Sequence, residues 1–199
     1  MTTSAARATT STRREQIVSV AAGLFAQRGF HGVSIYDLGA ALGISGPALY
    51  KHFASKDALL AAMLIDISER LLDEGERRYA AALEHGPQAA LEELIGWHVE
   101  FALANPALIT VQFRDLANLN ETDQHTVRQL QRTYVERWVV AICAAFGADH
   151  VHARAAAHAV FALINSTPHS ARLGEVEMSA LLHRMARAAL KSCAEHPSV

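Results

Sequence analysis

The sequence predicts an all-helical protein of about nine helices, split into a small amino-terminal module and a larger body. Three observations carry that expectation. Apolar residues recur with the 3.6-residue period of a helix, and no segment alternates as a half-buried strand would. Breakers fall where helices must stop or start: Gly43, Pro47, Gly86-Pro87, Pro106, Gly147 and Pro168. Hydrophobic residues make up 51% of the 199 positions, enough to fill a core, yet no apolar run approaches the roughly 18 residues of a membrane span.

The first helix is expected from about Thr12 to Arg28, with Ile17, Val20, Ala21, Leu24 and Phe25 as its inward stripe. Residues 1–11, rich in Ser, Thr and Ala and without periodicity, are expected to form a disordered arm. Arg7 there, and Arg13 and Arg14 just beyond it, fit either added phosphate or minor-groove contacts or a flexible solubilising tail. Ser34 can cap a second helix whose inner face is Ile35, Leu38, Ala41 and Leu42, and Gly43 lets the chain reverse. Ser45 then caps a short third helix, with Pro47 in its first turn, where a missing N–H costs nothing. Leu49 and Phe53, four apart, face inward. Tyr50, Lys51 and His52 are left outside, a trio suited to phosphates and base edges in a major groove. Ser55, Lys56 and Asp57 open a fourth helix whose N–H groups and lysine offer a phosphate seat.

This stretch resembles the DNA-binding domain of the tetracycline-repressor (TetR/AcrR) family of transcriptional regulators. The resemblance rests on Gly29-Phe30, Val33-Ser34, Asp37-Leu38, Ala41, Gly43-Ile44-Ser45, Leu49-Tyr50, His52-Phe53 and Ser55-Lys56, which with the preceding helix cover about fifty residues. Two positions depart from the family pattern. Gly39 stands where alanine is usual, which costs up to about 1 kcal/mol of helix propensity unless a close contact needs it. Val33 replaces a common threonine, removing one phosphate-contacting hydroxyl. The resemblance implies a helix-turn-helix domain over 12–57 and a ligand-binding and dimerisation domain over 58–199. The expected DNA-facing residues are Ser34, Ser45, Pro47, Ala48, Tyr50, Lys51, His52 and Lys56.

Beyond the module, a helix over about 55–84 carries Leu59, Met63, Ile67 and Leu71 and spans roughly 45 Å, long enough to act as a lever into the body. Helices are expected over about 87–104, 107–118, 121–146, 149–165 and 177–193. Trp97, Phe101, Phe113, Tyr134, Trp138 and Phe161 are candidates to surround an apolar cavity, with His98, Gln112, Arg114 and Asn165 as polar fixers. The same rings would also serve as ordinary core filling. In the family an effector sits between these middle helices. The last two helices are rich in alanine and larger apolar residues around much of their circumference, so a second face needs a partner. In the family these helices pair with their copies in a homodimer.

Charge is uneven along the chain. Residues 1–57 hold six Lys/Arg against three acids, whereas the remainder holds twelve against seventeen. A basic module on an acidic body fits a protein that turns one end towards a polyanion. Cys143 and Cys193 are too few and too distant for a disulfide framework. His150, His152 and His158 diverge around a helix, so no metal or cofactor is expected. Nor does any Ser/His/Asp set or phosphate loop point to an enzyme. The expected function is a cytoplasmic, homodimeric regulator of transcription. It would bind an inverted-repeat operator in double-stranded DNA, and a small apolar or acyl-bearing effector would release it as a repressor. The rival is a helical enzyme or adaptor using the helix-turn-helix for protein contact.

Overall fold

The computed structural model describes residues 3–192, and every element among them is a helix. In chain order these are α1 (Thr3–Arg28), α2 (Ile35–Leu42), α3 (Gly46–Leu49), α4 (Lys56–Ala82), α5 (Pro87–Ala104), α6 (Pro106–Asp115), α7 (Glu121–Phe146), α8 (His150–Ile164), α9 (Thr167–Ser170) and α10 (Glu175–Lys191). Short 3-10 turns extend α4 over Leu83–His85 and α6 over Leu116–Asn118.

Local chemistry explains most boundaries. Asn120 accepts the Asp123 N–H at the start of α7, and Asp149 accepts the Val151 and His152 N–H groups at the start of α8. Pro87, Pro106 and Pro168 each occupy a first turn. One expectation is corrected at the amino end. The backbone is already helical from Thr3 rather than Thr12, consistent with the alanines at 5, 6 and 8 and the lack of any Gly or Pro. Cys193 lies outside the described residues.

The core is continuous from one end of the molecule to the other. Ile17, Phe25 and Leu38 lie in the amino-terminal module, and Leu64, Leu94, Trp138, Leu182 and Leu190 continue the core through the body. α4 packs on α5 and α7, α7 on α8, and α10 on both α5 and α8. The module meets the body along α1, which lies against α6.

Gly39 is explained by the turn it faces. A Cβ there would sit 2.8 Å from the Ile44 carbonyl oxygen and 3.3 Å from the Gly46 nitrogen, so α2 and the start of α3 approach at backbone distance. Gly39→Ala should therefore lose more to this clash than it gains in helix propensity. We expect a destabilisation of about 1–3 kcal/mol, measurable as a lowered midpoint in urea unfolding. An unchanged or raised midpoint would contradict the close approach.

Candidate nucleic-acid interface

The module is assembled by a capping box that fixes where α2 begins. The Asp37 N–H donates to Ser34 Oγ at 3.1 Å, and the Ser34 N–H and hydroxyl both donate to Asp37 Oδ2, at 2.7 and 2.5 Å. These bonds, with Arg28 3.6 Å away, hold the Asp37 carboxyl below its ordinary value. Gly43 closes α2 in the left-handed region, and the Ile44 N–H returns to the Gly39 carbonyl at 2.9 Å. Arg13 of α1 donates to the Leu42 carbonyl, and the Arg14 guanidinium lies 4.7 Å from the Phe53 ring centre. Both side chains therefore brace the module.

The third helix, expected to continue to Phe53, is shorter. α3 is regular only to Leu49, and Tyr50, Lys51 and His52 continue as a tight turn in which Lys51 N–H reaches Ala48 O and His52 N–H reaches Leu49 O. Leu49 and Phe53 are buried beneath it. Ser45 occupies the cap position of α3 without a side-chain cap bond. Ser45, Pro47, Tyr50 and Lys51 are exposed, with Ala48 and His52 half-buried among them. This run thus gathers six of the eight expected DNA-facing residues on one outer end of the hairpin.

The remaining two are engaged elsewhere. The Ser34 hydroxyl belongs to the capping box, although the residue itself is exposed. Lys56 is corrected: its ammonium donates to the Phe30 and Val33 carbonyls at 2.9 and 2.8 Å and sits 4.2 Å from the Phe30 ring centre. These bonds satisfy the carbonyls of the turn between α1 and α2, so Lys56 clamps the module instead of reaching outward. One surface residue escaped the sequence reading. Tyr36 is 81% exposed on α2, and its ring borders Gly46 at the start of α3. The available signal was an aromatic ring off the Ile35, Leu38, Ala41 and Leu42 stripe.

In the body, the candidate rings separate into two groups. His98, Tyr134, Trp138 and Phe161 pack mutually, with centroids 4.9–6.3 Å apart. A polar chain threads them: the Tyr134 hydroxyl lies 3.4 Å from His98 Nδ1, and His98 Nε2 lies 3.1 Å from Asn165 Oδ1. With the asparagine oxygen as acceptor, His98 is protonated at Nε2 and accepts from Tyr134 at Nδ1. Trp97 and Phe101 form a second pair facing α4, where the Trp97 N–H donates to the Leu71 carbonyl and Arg70 and Arg78 lie over the rings. Phe113 is corrected outright. It is 94% exposed, because α6 turns Val111 and Asp115 inward and Phe113 is two residues, about 200°, round from Val111. Gln112 is half-buried on the same helix.

Burial pushes the His98 imidazole down to about 4, against the weaker upward pull of its bond to Asn165. Burial also raises the Tyr134 phenol, an effect the neighbouring Trp138 N–H opposes only in part. That N–H is fully buried, and its approach to the Tyr134 hydroxyl falls short of full hydrogen-bond geometry. Because the folded state holds His98 neutral while the unfolded chain takes up a proton below about 6.5, its contribution is complete above 6.5 and lost as pH falls towards 4. The loss should approach about 3 kcal/mol. His98→Gln should flatten the dependence of unfolding free energy on pH across that window, and an unaltered profile would refute the neutral assignment.

Arg114 joins the body to the module. From α6 it donates to the Phe25 and Ala26 carbonyls near the end of α1, and Asp115, with 5% of its side chain exposed, holds it at 2.9 Å. Asn118 donates to Asp115 and meets His31, beyond the end of α1, at 2.9 Å. The carbonyls at a helix end carry partial negative charge and need donors, which explains an arginine at this place.

A helix-turn-helix with an exposed cationic reading edge, joined by a long helix to a helical body, defines a DNA-binding transcriptional regulator in its overall architecture. Residues 17–63 match the family described as "Bacterial regulatory proteins, tetR family", and residues 84–193 match "Tetracyclin repressor-like, C-terminal domain". The chain belongs to the TetR family of transcriptional regulators. The HTH-type transcriptional repressor KstR2 of Rhodococcus jostii (strain RHA1) is 27% identical over 130 residues, 65% of this chain and 63% of that protein. The chain thus spans just under two thirds of that curated relative. A TetR-family regulator from Bordetella parapertussis 12822 superposes with a TM-score of 0.77 at 24% identity, covering 94% of this chain and 98% of the other. AibR, solved in complex with isovaleryl coenzyme A and operator DNA, superposes at 0.71 with 18% identity, covering 87% and 97%. Regulators of this family bind operator DNA and small-molecule effectors and dimerise. Among the described residues no single helix is long and apolar enough to cross a membrane.

Proposed function

We propose that this protein is a homodimeric repressor that acts in the cytoplasm and is released from an inverted-repeat operator by a small apolar or acyl-bearing effector. The single observation that carries this reading is the Ser45 to His52 edge, hydrogen-bonding and cationic outside and pinned from beneath by Leu49 and Phe53. Tyr50 and Lys51 take phosphate or base-edge roles, with Tyr36 beside them. The division between DNA-binding module and body falls near residue 57, at the start of α4. A rival role as enzyme or adaptor draws no support from either matched domain, and we assign no catalytic residue.

The dimer forms through α8 and α10. On α8, Val151, Ala155, Ala159 and Ala162 face outward, and on α10 so do Val176 and Met185, leaving two apolar strips for a second copy. A two-fold pair then presents two reading edges to half-sites about one helical turn apart or a multiple of it. The effector acts at the ring cluster of His98, Tyr134, Trp138 and Phe161. The AibR complex, with an acyl thioester and operator DNA, gives a precedent for this effector class.

Fluorescence anisotropy with an inverted-repeat duplex from the region upstream of the protein's own gene tests the reading. The logarithm of affinity should fall linearly with the logarithm of salt concentration, and halving the repeat should remove most of the binding. Salt-insensitive binding, or equal affinity for a half-site, would overturn it.

A further inference from the structure

The reading edge is poor in the side chains that recognise bases by paired hydrogen bonds. Base pairs are told apart in a major groove by Arg, Lys, Asn, Gln, Asp or Glu at their polar edges, or by apolar contact with the 5-methyl group of thymine. From Ser45 to Leu49 the chain carries none of those polar types. Ser45 offers a hydroxyl, donor and acceptor at once, which discriminates little. Gly46 is buried, whereas Pro47 is exposed and Ala48 half-buried, and both present only hydrocarbon. Yet the leading residues of the second helix in such a module are the ones that reach base edges.

The neighbouring part of α2 has the same character. Tyr36 is 81% exposed, and Ala40, one turn further on, is exposed as well. Asp37, the acid beside them, is taken up by the Ser34 cap and by Arg28, so it is not free to accept from a cytosine. A Cβ on Gly46 would lie 3.9 Å from two carbons of the Tyr36 ring, so the ring meets the start of α3 with no side chain between them. Tyrosine suits such a place, because its apolar body can be covered while its hydroxyl stays wet.

We propose that Tyr36, Pro47 and Ala48 form an apolar notch that selects operators by the 5-methyl groups of thymines in the major groove, with Tyr36 as a specificity-determining residue. This deepens the DNA-binding reading above and rests on it. Tyr50 and Lys51, further along the turn, are left to phosphates or a flanking base. Deoxyuridine keeps the pairing of thymine and lacks only the methyl, so it isolates the contact. Anisotropy with the full-length protein would compare the inverted-repeat duplex with the same duplex carrying deoxyuridine at every thymine. The uridine duplex should bind about 10-fold more weakly, the scale of one lost methyl contact in each half-site. Its salt slope should be unchanged, since no phosphate contact is altered. Single replacements should place the loss at positions related by the dyad. Tyr36→Ala, at an exposed ring whose loss opens no cavity, should narrow the gap between the duplexes to about threefold or less.

Equal or tighter binding of the uridine duplex by wild-type protein overturns the proposal and needs no variant. So does a preference for thymine that survives undiminished in Tyr36→Ala, which would move methyl reading to another part of the surface. Both results leave the regulator reading standing, because salt-dependent binding of the thymine duplex reports on it separately. A protein that binds neither duplex overturns that reading, and the notch falls with it.

Discussion

Replacing Tyr50 and Lys51 together by alanine is expected to reduce operator affinity by about 100-fold or more while leaving the dimer intact. Each side chain removes a polar or charge-assisted contact worth about 1–3 kcal/mol at a base edge or phosphate, and a two-fold complex loses both twice. Both residues are exposed, Tyr50 at 52%, so their loss opens no cavity, and Leu49 and Phe53 continue to hold the turn. The salt slope should also shallow, because a Lys51 seated on a phosphate would release counterions on binding. Sedimentation beside anisotropy separates the two properties. Operator binding at wild-type strength would show that another surface meets the DNA.

Arg114→Ala is expected to separate the response to ligand from the grip on DNA. The substitution removes the donors to the Phe25 and Ala26 carbonyls and strands Asp115, whose carboxylate is almost wholly enclosed. Removing one member of a buried pair typically costs about 3–5 kcal/mol, and the 40% exposure of Arg114 places this case below that range. A milder control is Asn118→Ala, which breaks the approach to His31 while leaving the Arg114 contacts in place. In both variants the effector should still bind the body, whereas its effect on operator affinity should shrink from the 1–3 kcal/mol usual for such coupling. Calorimetry and anisotropy on the same preparation decide this. Full release by effector in a folded Arg114→Ala protein would mean that the signal travels by α4 alone.

Most of the helix-turn-helix was legible in the sequence because its signals are local. Ser34, Gly43 and Pro47 act within a few residues of themselves, and the Leu49 and Phe53 pair follows directly from helical period. What escaped depends on contacts between distant segments. Nothing near Lys56 in the chain announces that its ammonium will bridge two carbonyls more than twenty residues earlier. Phe113 looked like a pocket wall because aromatic residues usually are buried, and only the docking of Val111 and Asp115 decided which way α6 would turn. His98, Tyr134, Trp138, Phe161 and Asn165 meet from three parts of the chain. Their residue types were suggestive, yet their proximity came only with the fold.

Gly75 lies in the middle of α4, where a Cβ would fall 2.7 Å from Tyr134 Cε2. The phenol ring therefore rests directly on the backbone of the long connecting helix, with no compliant group between them. A molecule that tips this ring shifts the rod itself, as a finger placed near a fulcrum swings the far tip of a beam.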